Sequence, residues 1–163
     1  MSQVVIAMGS DSDLPVMEKA GQALDLFGIK YDMRILSAHR TPHRVIEFSK
    51  HARRDGVRVV IAGAGGAAHL PGMIASHCAL PVIGVPVPLG SLGGEDALLS
   101  IVQMPQDVPV ATMAIGNAWN AGILAAQILA AGTSPEDQDI FDKIIRYKEN
   151  LESSYQGFSV IKS

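Results

Sequence analysis

The segment VRVVIAGAGGAAHLPG, residues 57–72, joins an apolar run to a stretch of glycine and alanine that contains one histidine. Arg58 is the only polar residue among residues 57–62, and such nearly continuous runs are typical of strands in a parallel sheet covered on both faces. In sheets of that kind, ligands bind beyond the carboxyl ends of the strands. The segment therefore predicts an α/β fold and a ligand site near residues 63–72.

Segments on both sides of this one repeat the pattern of a strand followed by a helix. Four more short apolar runs, predicted as strands, cover residues 4–8, 31–36, 81–87 and 109–115. Apolar residues recur at helical spacing over 13–28, 41–56, 95–103, 120–131 and 135–155. This alternation predicts a three-layer αβα sandwich with a five-stranded or slightly larger parallel sheet, right-handed crossovers and a C-terminal helix.

Length and composition narrow the class of protein further. A chain of 163 residues corresponds to one domain, with a predicted core at 3–131 and a C-terminal helix and tail at 135–163 that we expect to pack on a neighbouring subunit. The net charge of −3 provides no basic surface to attract nucleic acid or an anionic membrane. A hydrophobic content of 48% is high for a small monomer and predicts a homo-oligomer.

The expected compartment is the cytoplasm. Cys78 is the only cysteine, so no disulfide within the chain is possible and an oxidising compartment is not implied. The N-terminus has no basic region and too short an apolar run for a signal peptide, and no stretch has the roughly 18 apolar residues of a membrane span.

The loop at residues 9–13, GSDSD, follows the first predicted strand and begins a helix, for which Ser12 or Asp13 is the predicted N-cap. Backbone N–H groups at a helix N-terminus, together with the hydroxyls of Ser10 and Ser12, form a potential anion site. An aspartate of this loop is suited to accept from sugar hydroxyls. The alternative is that all of these residues serve only as turn and cap formers.

The loop at residues 37–42, SAHRTP, joins the second strand to a helix that the Thr41 hydroxyl is predicted to cap. The Arg40 guanidinium is suited to a phosphate or a carboxylate, and Ser37 adds a hydroxyl. The alternative is a solvated surface loop. His39 and His43 have the spacing of a metal pair, but Pro42 forces the helix to begin after His39, so no metal site is predicted.

The glycine-rich loop, residues 63–72, differs from two common nucleotide-binding motifs. It lacks the Gly-Lys-Ser/Thr ending of a P-loop. It nearly matches a dinucleotide fingerprint, but no acidic residue for the ribose occurs between Gly56 and Gly94. What remains is a wall of small residues with one titratable group, His69, whose imidazole is suited to carry a proton near neutral pH. The alternative is a histidine that only satisfies the helix it begins.

Four motifs together resemble one known family. The segments MGSDSD (8–13), SAHRTP (37–42), 61–72 and LSIVQMP (99–105) look like those of the 5-(carboxyamino)imidazole ribonucleotide mutases, the bacterial class I type of the subunit once called phosphoribosylaminoimidazole carboxylase. The likeness covers about residues 4–129, and four motifs in the right order make it specific. It implies a flavodoxin-like fold, an octamer with active sites at subunit junctions, and no metal, ATP, biotin or other cofactor.

The resemblance also implies an activity in de novo purine biosynthesis. The enzyme would be an isomerase that moves a carboxylate from the exocyclic nitrogen of the substrate to ring carbon four. His69 would be the acid–base residue, and His39 would lie beside the migrating carboxylate. One histidine is sufficient because it can protonate the departing nitrogen and later collect the ring proton. A dry, close-fitting pocket would keep the carbon dioxide from escaping.

The implied substrate contacts follow from the matching motif positions. Ser12, Ser37 and Arg40 would hold the 5′-phosphate, and Asp13 would bind the ribose hydroxyls. The other implied contacts are Ser10, Ala38, Gly63, Ala64, Gly65, Ala68 and Leu70. The chain departs from the family at residues 105–108, which lack the two glycines that commonly follow that proline, and at 116–120, which are about two residues shorter than usual.

Two functions other than the mutase remain possible for such a sequence. The first is the related carboxylase, which takes aminoimidazole ribonucleotide and free carbon dioxide directly. The amino-acid sequences of the segments SAHR (37–40) and GAAHLPG (66–72) favour the mutase over this carboxylase. The second is a nucleotide-binding module of the flavodoxin type without catalytic activity.

Overall fold

Five parallel strands form one sheet in the computed structural model, which describes residues 2–155. The strands are β1 (Val4–Met8), β2 (Tyr31–Ile35), β3 (Val59–Gly65), β4 (Val82–Val87) and β5 (Ala111–Thr112). They lie in the order β2-β1-β3-β4-β5, which is the flavodoxin-like order. The predicted fold class is therefore confirmed, including the number of strands and their parallel direction.

Helices cover both faces of this sheet. They are α1 (Leu14–Asp25), α2 (Pro42–His51), α3 (Leu70–Ala75), α4 (Glu95–Val102), α5 (Ala118–Ala130) and α6 (Pro135–Tyr155). Residues of α1, α5 and α6 share one buried cluster with the sheet, and residues of α2, α3 and α4 share the other. The strands β1 and β4 are buried at every position, as the uninterrupted apolar runs predicted. No helix within residues 2–155 has the length and apolar character needed to cross a bilayer.

The third and fifth strands differ from their predicted limits. β3 runs on through Gly63 and Gly65 because both of its neighbours pair with it there, Met8 opposite Gly63 and Val87 opposite Gly65. Of the predicted glycine-rich loop, residues 63–65 are therefore strand and residues 70–72 belong to a helix, so the irregular part is only residues 66–69. β5 has two residues instead of the predicted seven, since it lies at the sheet edge and pairs only with β4.

Asp13 and Thr41 occupy the predicted N-cap positions of α1 and α2, but neither side chain makes a cap bond there. Ser10 caps a short 3-10 turn (Asp11–Asp13) that precedes α1, and Asp13 at the start of α1 makes no side-chain cap bond of its own. Thr41 precedes α2 without capping it. Its hydroxyl instead donates to the Ser37 carbonyl at 3.0 Å and accepts from the Ser37 N–H at 3.2 Å, so it stabilises the loop before the helix.

One departure from the family pattern has a clear conformational consequence. Asp107 stands in the segment where glycines are common, and it is the only non-glycine residue among 2–155 with a positive φ, at 73°. The Val108 N–H donates to the Pro105 carbonyl at 3.3 Å, so the segment forms a tight turn. Aspartate tolerates this left-handed region better than most residues. The chain thus forms a tight turn here with an aspartate, and not a glycine, in the left-handed conformation.

The inner face of α6 packs on its own chain. Ile140 and Ile144 are buried in the cluster with α1 and α5, and the Tyr147 ring packs edge-on against Phe27 at 5.7 Å. Phe141 and Ile145 on the opposite face are 46% and 42% exposed. The predicted contact of α6 with a neighbouring subunit therefore concerns only this outer face. The tail, residues 156–163, lies outside the described residues.

Gly122 allows α5 to pack directly on the backbone of α1. A Cβ at this position would lie 2.5 Å from the Ala20 carbonyl oxygen and 2.7 Å from the Ala23 Cβ. Because a backbone oxygen cannot rotate away, we expect Gly122→Ala to separate the helices and to lower the free energy of unfolding by about 1–3 kcal/mol. Urea unfolding measures this. Gln127→Ala, at an exposed position of the same helix, is the control and should change the value by no more than about 0.5 kcal/mol.

Asp137 connects α6 to the amino end of the sheet. Its carboxylate accepts from Arg58 at 2.5 Å and from the Ser134 N–H at 3.1 Å, and these donors lower the pKa of Asp137 to about 2. The bond between Arg58 and Asp137 explains why an arginine occurs in the otherwise apolar run of residues 57–62.

The low pKa of Asp137 predicts a dependence of stability on pH. Because the folded pKa lies below the unfolded value near 3.8, the stabilisation is complete above about pH 4 and is lost as the pH falls toward 2. We expect the stability difference between wild type and Asp137→Asn in urea to shrink over that range. A difference that stays constant from pH 6 to pH 2 would contradict the assignment. Asp139→Asn, whose carboxylate is exposed on the same helix, is the control.

Candidate functional site

A cavity of about 390 Å³ opens at the carboxyl ends of β1 and β3, where the strand order reverses. Four loops line it, the ones that follow β1, β2, β3 and β4. Ligands of open α/β sheets bind at such a switch point. Eleven of the thirteen predicted site residues line this cavity: Ser10, Ser12, Asp13, Ser37, Ala38, His39, Arg40, Ala64, Gly65, His69 and Leu70.

The structure does not bring the other two predicted residues, Gly63 and Ala68, to the cavity. Gly63 faces α1, where a Cβ would overlap the side chain of Met17, so this glycine is required for packing between strand and helix. Ala68 is 1% exposed and belongs to the buried cluster under α2, α3 and α4. Gly63 faces α1 because successive residues of a strand face opposite sides, and Ala68 is buried in the tight turn that follows β3. Their implied contacts with substrate stay predictions.

Three further residues line the cavity without having been predicted: Gly9, Ala67 and Leu89. Gly9 and Ala67 belong to loops that were already singled out. Leu89 comes from the loop after β4, which had been given no function. The strand pattern contained the necessary signal, because the carboxyl end of a fourth parallel strand must lie at the same edge of the sheet as the other three.

Arg40 links the loops after β1 and β2 at one side of the cavity. Its Nη2 donates to the Gly9 carbonyl at 3.2 Å, and its Nε donates to the Ser37 hydroxyl at 3.2 Å. The backbone N–H of Arg40 donates to the same hydroxyl. Within residues 2–155 these bonds use only part of the five-donor fork, so further N–H groups remain available to an anion. With the hydroxyls of Ser10 and Ser12 near the start of α1, this side of the cavity is rich in donors.

Asp13 is a buried carboxylate at the same side of the cavity. Its Oδ2 accepts from the Ser10 N–H at 3.1 Å, while its Oδ1 is buried and has no donor within the described residues. Burial raises the pKa of Asp13, although the Ser10 N–H and the nearby Arg40 act in the opposite direction. A buried acceptor without a donor is costly, so this oxygen is prepared for a ligand hydroxyl or N–H.

The His39 and His69 side chains form a hydrogen-bonded pair that lines the same cavity. The His39 Nε2 lies 2.8 Å from the His69 Nδ1, and the two rings meet edge to face at 4.9 Å. His69 begins α3 as predicted, but its side chain caps nothing, so the alternative of a histidine satisfied by its own helix is wrong. One ring must donate and the other accept, so the contact accommodates two neutral rings or a single shared positive charge.

Small and apolar residues form a wall of the same cavity. Ala64 and Gly65 end β3, Ala67 follows in the loop, and Leu70 begins α3 at 1% exposure. Leu89 lies over Gly65 from the loop after β4. The cavity therefore combines several hydrogen-bond donors, a histidine pair and a close apolar surface. No group of three or more metal-ligating side chains occurs in the part of the chain that the structure describes.

The fold and the site define a flavodoxin-like α/β protein with a small-molecule site at its switch point. The family model described as AIR carboxylase matches residues 3–154. A relative from Thermotoga maritima named N5-carboxyaminoimidazole ribonucleotide mutase is 58% identical over 151 residues, 93% of this chain and 86% of that one. A Mycobacterium tuberculosis relative of the same name is 59% identical over 149 residues, 91% of this chain and 83% of that one.

A solved structure agrees with this relationship. The crystal structure of Treponema denticola PurE superimposes with a TM-score of 0.80 at 28% identity and covers 96% of this chain and 98% of that chain. The chain therefore belongs to the AIR carboxylase family, which confirms the resemblance inferred from the four motifs.

Proposed function

We propose that this chain is an N5-carboxyaminoimidazole ribonucleotide mutase of purine biosynthesis, an isomerase. The observation that supports it best is that the His39–His69 pair, Arg40 and Ser37 line one cavity together with small apolar residues. Two relatives with that name are 58% and 59% identical to this chain, and each match covers most of the relative's length. The arrangement suits a substrate with an anionic end and a reacting ring.

The donor-rich side of the cavity is proposed to hold the nucleotide. Arg40, Ser37 and Ser12 bind the 5′-phosphate, since a guanidinium fork and hydroxyls near a helix N-terminus suit its oxygens. The buried Oδ1 of Asp13 accepts from a ribose hydroxyl, which would satisfy an oxygen that otherwise has no donor. Ser10 and Ala38 line the same side.

The reaction proposed is a transfer within the cavity. The bond between the exocyclic nitrogen and the carboxylate carbon breaks, its electron pair stays on nitrogen, and nitrogen takes a proton. Ring carbon four then forms a bond to the carbon dioxide and loses its own proton. Substrate and product have the same atoms, so no external oxidant, reductant or activator is required. Close confinement gives the carbon dioxide a high effective concentration at the ring carbon.

The histidine pair is proposed to carry both protons. The site needs one group that gives a proton to nitrogen and later accepts one from carbon. His69 is assigned this transfer, with His39 as its hydrogen-bonded partner, because the contact between them can hold the additional proton as one shared positive charge. The wall formed by Ala64, Gly65 and Leu70 lies next to the migrating carboxylate.

Incubation with each of two nucleotides, without ATP, tests this function. We expect rapid formation of 4-carboxy-5-aminoimidazole ribonucleotide from the N-carboxylated nucleotide. Turnover only from the uncarboxylated nucleotide plus carbon dioxide would show the carboxylase instead. Binding of both nucleotides without turnover of either would show a binding module.

We also propose that the chain acts as a homo-octamer in the cytoplasm. The exposed apolar side chains of Leu99, Phe141 and Ile145 support burial against other copies. The cytoplasm is proposed because the relatives are biosynthetic enzymes. Light scattering coupled to size exclusion should give eight times the chain mass of 17.2 kDa.

A further inference from the structure

Leu89 is in close contact with the glycine-rich wall of the site. A Cβ at Gly65 would lie 2.6 Å from the Leu89 Cδ1 and 2.9 Å from its Cγ, so this leucine occupies the space that any other residue at 65 would fill. Leu89 lines the cavity and is 38% exposed. Its side chain therefore lies over Gly65 and is partly open to solvent.

The segment that carries Leu89 is shaped by glycines. Gly90, Gly93 and Gly94 adopt φ values of 72°, 58° and 94°, a region that other residues rarely enter. The loop thus returns to α4 after presenting one aliphatic side chain to the cavity. Leu92, in the same loop, is 60% exposed and does not line the cavity. Leu92 therefore serves as a control for Leu89, since the two leucines share one loop but only Leu89 lines the cavity.

We propose that Leu89 is the apolar cover that keeps the carbon dioxide intermediate inside the site, an inference that rests on the proposed mutase function. The polar residues of the cavity bind the nucleotide and move protons, but they do not enclose a small apolar molecule. Carbon dioxide has no charge to hold it, so its retention depends on close apolar surfaces. Leu89 over Gly65 provides such a surface on the solvent side of the wall.

The step that Leu89 controls is a partition. After the nitrogen–carbon bond breaks and nitrogen takes a proton from the histidine pair, carbon dioxide either bonds to ring carbon four or leaves. Capture returns the ring proton to the histidine pair and completes the isomerisation. Escape leaves aminoimidazole ribonucleotide, and the histidine pair regains its proton from solvent. Leu89 is thus a positioning residue, and its removal should change the ratio of the two outcomes.

Isotope retention measures this ratio. The wild-type enzyme is given substrate labelled with ¹³C in the carboxylate, under single-turnover conditions, with excess unlabelled carbon dioxide and carbonic anhydrase; a blank without enzyme corrects for spontaneous loss. We expect the wild type to retain most of the label in the product. We expect Leu89→Ala to increase the loss of label by at least about 5-fold, together with release of aminoimidazole ribonucleotide. Leu89→Met should restore retention, since it refills the space.

Two further variants keep the test decisive. Leu92→Ala, in the same loop but away from the cavity, should retain label as the wild type does. Gly65→Ala should displace Leu89 and lose label, which provides a second route if Leu89→Ala folds poorly. Label retention in both Leu89→Ala and Gly65→Ala equal to wild type, whatever their rates, would overturn the inference. Absence of the isomerised product with the wild type would instead refute the proposed function.

Discussion

His69→Asn is expected to lower kcat by about 10²–10⁴-fold, the range typical of general acid–base catalysis, while substrate still binds. Asparagine is similar in size and keeps a polar group near His39, but it cannot take up or release a proton near neutral pH. The His39 Nε2 to His69 Nδ1 contact of 2.8 Å makes the loss specific to the pair. Steady-state kinetics with the N-carboxylated nucleotide, with binding measured separately by calorimetry, gives both quantities.

His39→Asn and the double variant test whether the two rings act as one unit. If they do, His39→Asn also loses at least about 10-fold, and the double variant is little worse than the more damaging single variant. His51→Gln, at the end of α2 and outside the cavity, should behave as the wild type. Retention of most activity by His69→Asn would show that another group carries the proton. Additive losses would show that the rings act independently.

Arg40→Gln is expected to lower kcat/KM for the nucleotide by about 100-fold or more, mainly through a higher KM. The two bonds from the guanidinium to Gly9 and Ser37 fix its position at the edge of the cavity, where it meets the proposed phosphate. Hydrogen bonds to charged groups contribute about 1.5–3 kcal/mol each, and a 100-fold change corresponds to about 2.7 kcal/mol. The measurement is steady-state kinetics at fixed ionic strength.

The corresponding nucleoside, which lacks the phosphate, distinguishes a phosphate contact from general damage. Wild type should discriminate strongly between nucleotide and nucleoside, and Arg40→Gln should reduce that discrimination without a large further loss on the nucleoside. Arg34→Gln is a matched control, because Arg34 is an exposed arginine of β2 that pairs with Asp32 and lies outside the cavity. Equal losses on both substrates in Arg40→Gln would refute the phosphate assignment.

Local patterns in the sequence were sufficient to predict the architecture. The nearly unbroken apolar runs of β1, β3 and β4 predict buried parallel strands, and the helical spacing between them predicts the covering layers. These signals are readable because burial on both faces acts on each short segment separately. The exact ends of the strands were harder to predict. β3 extends through Gly65 only because β1 pairs with it as far as Gly63 and β4 pairs with it as far as Gly65.

The three loops that form most of the site could also be recognised in the sequence. Each follows a predicted strand, and in a parallel sheet all carboxyl ends meet at one edge, so Ser10, Ser37 and His69 had to lie near one another. Motif resemblance then suggested individual roles. That argument included Gly63 and Ala68, which do not line the cavity, since the motif does not indicate which side of the backbone each small residue faces.

The sequence by itself therefore determined the layers, the strand direction and the loops that contain the chemistry. Only the tertiary structure decided that His39 bonds to His69, 30 residues away, that Arg40 bridges to Gly9, and that Leu89 covers Gly65. The physical reason is one of range. Burial and backbone conformation leave a periodic signal within each segment, whereas a contact between two loops depends on the order of strands and on side-chain directions that no single segment encodes.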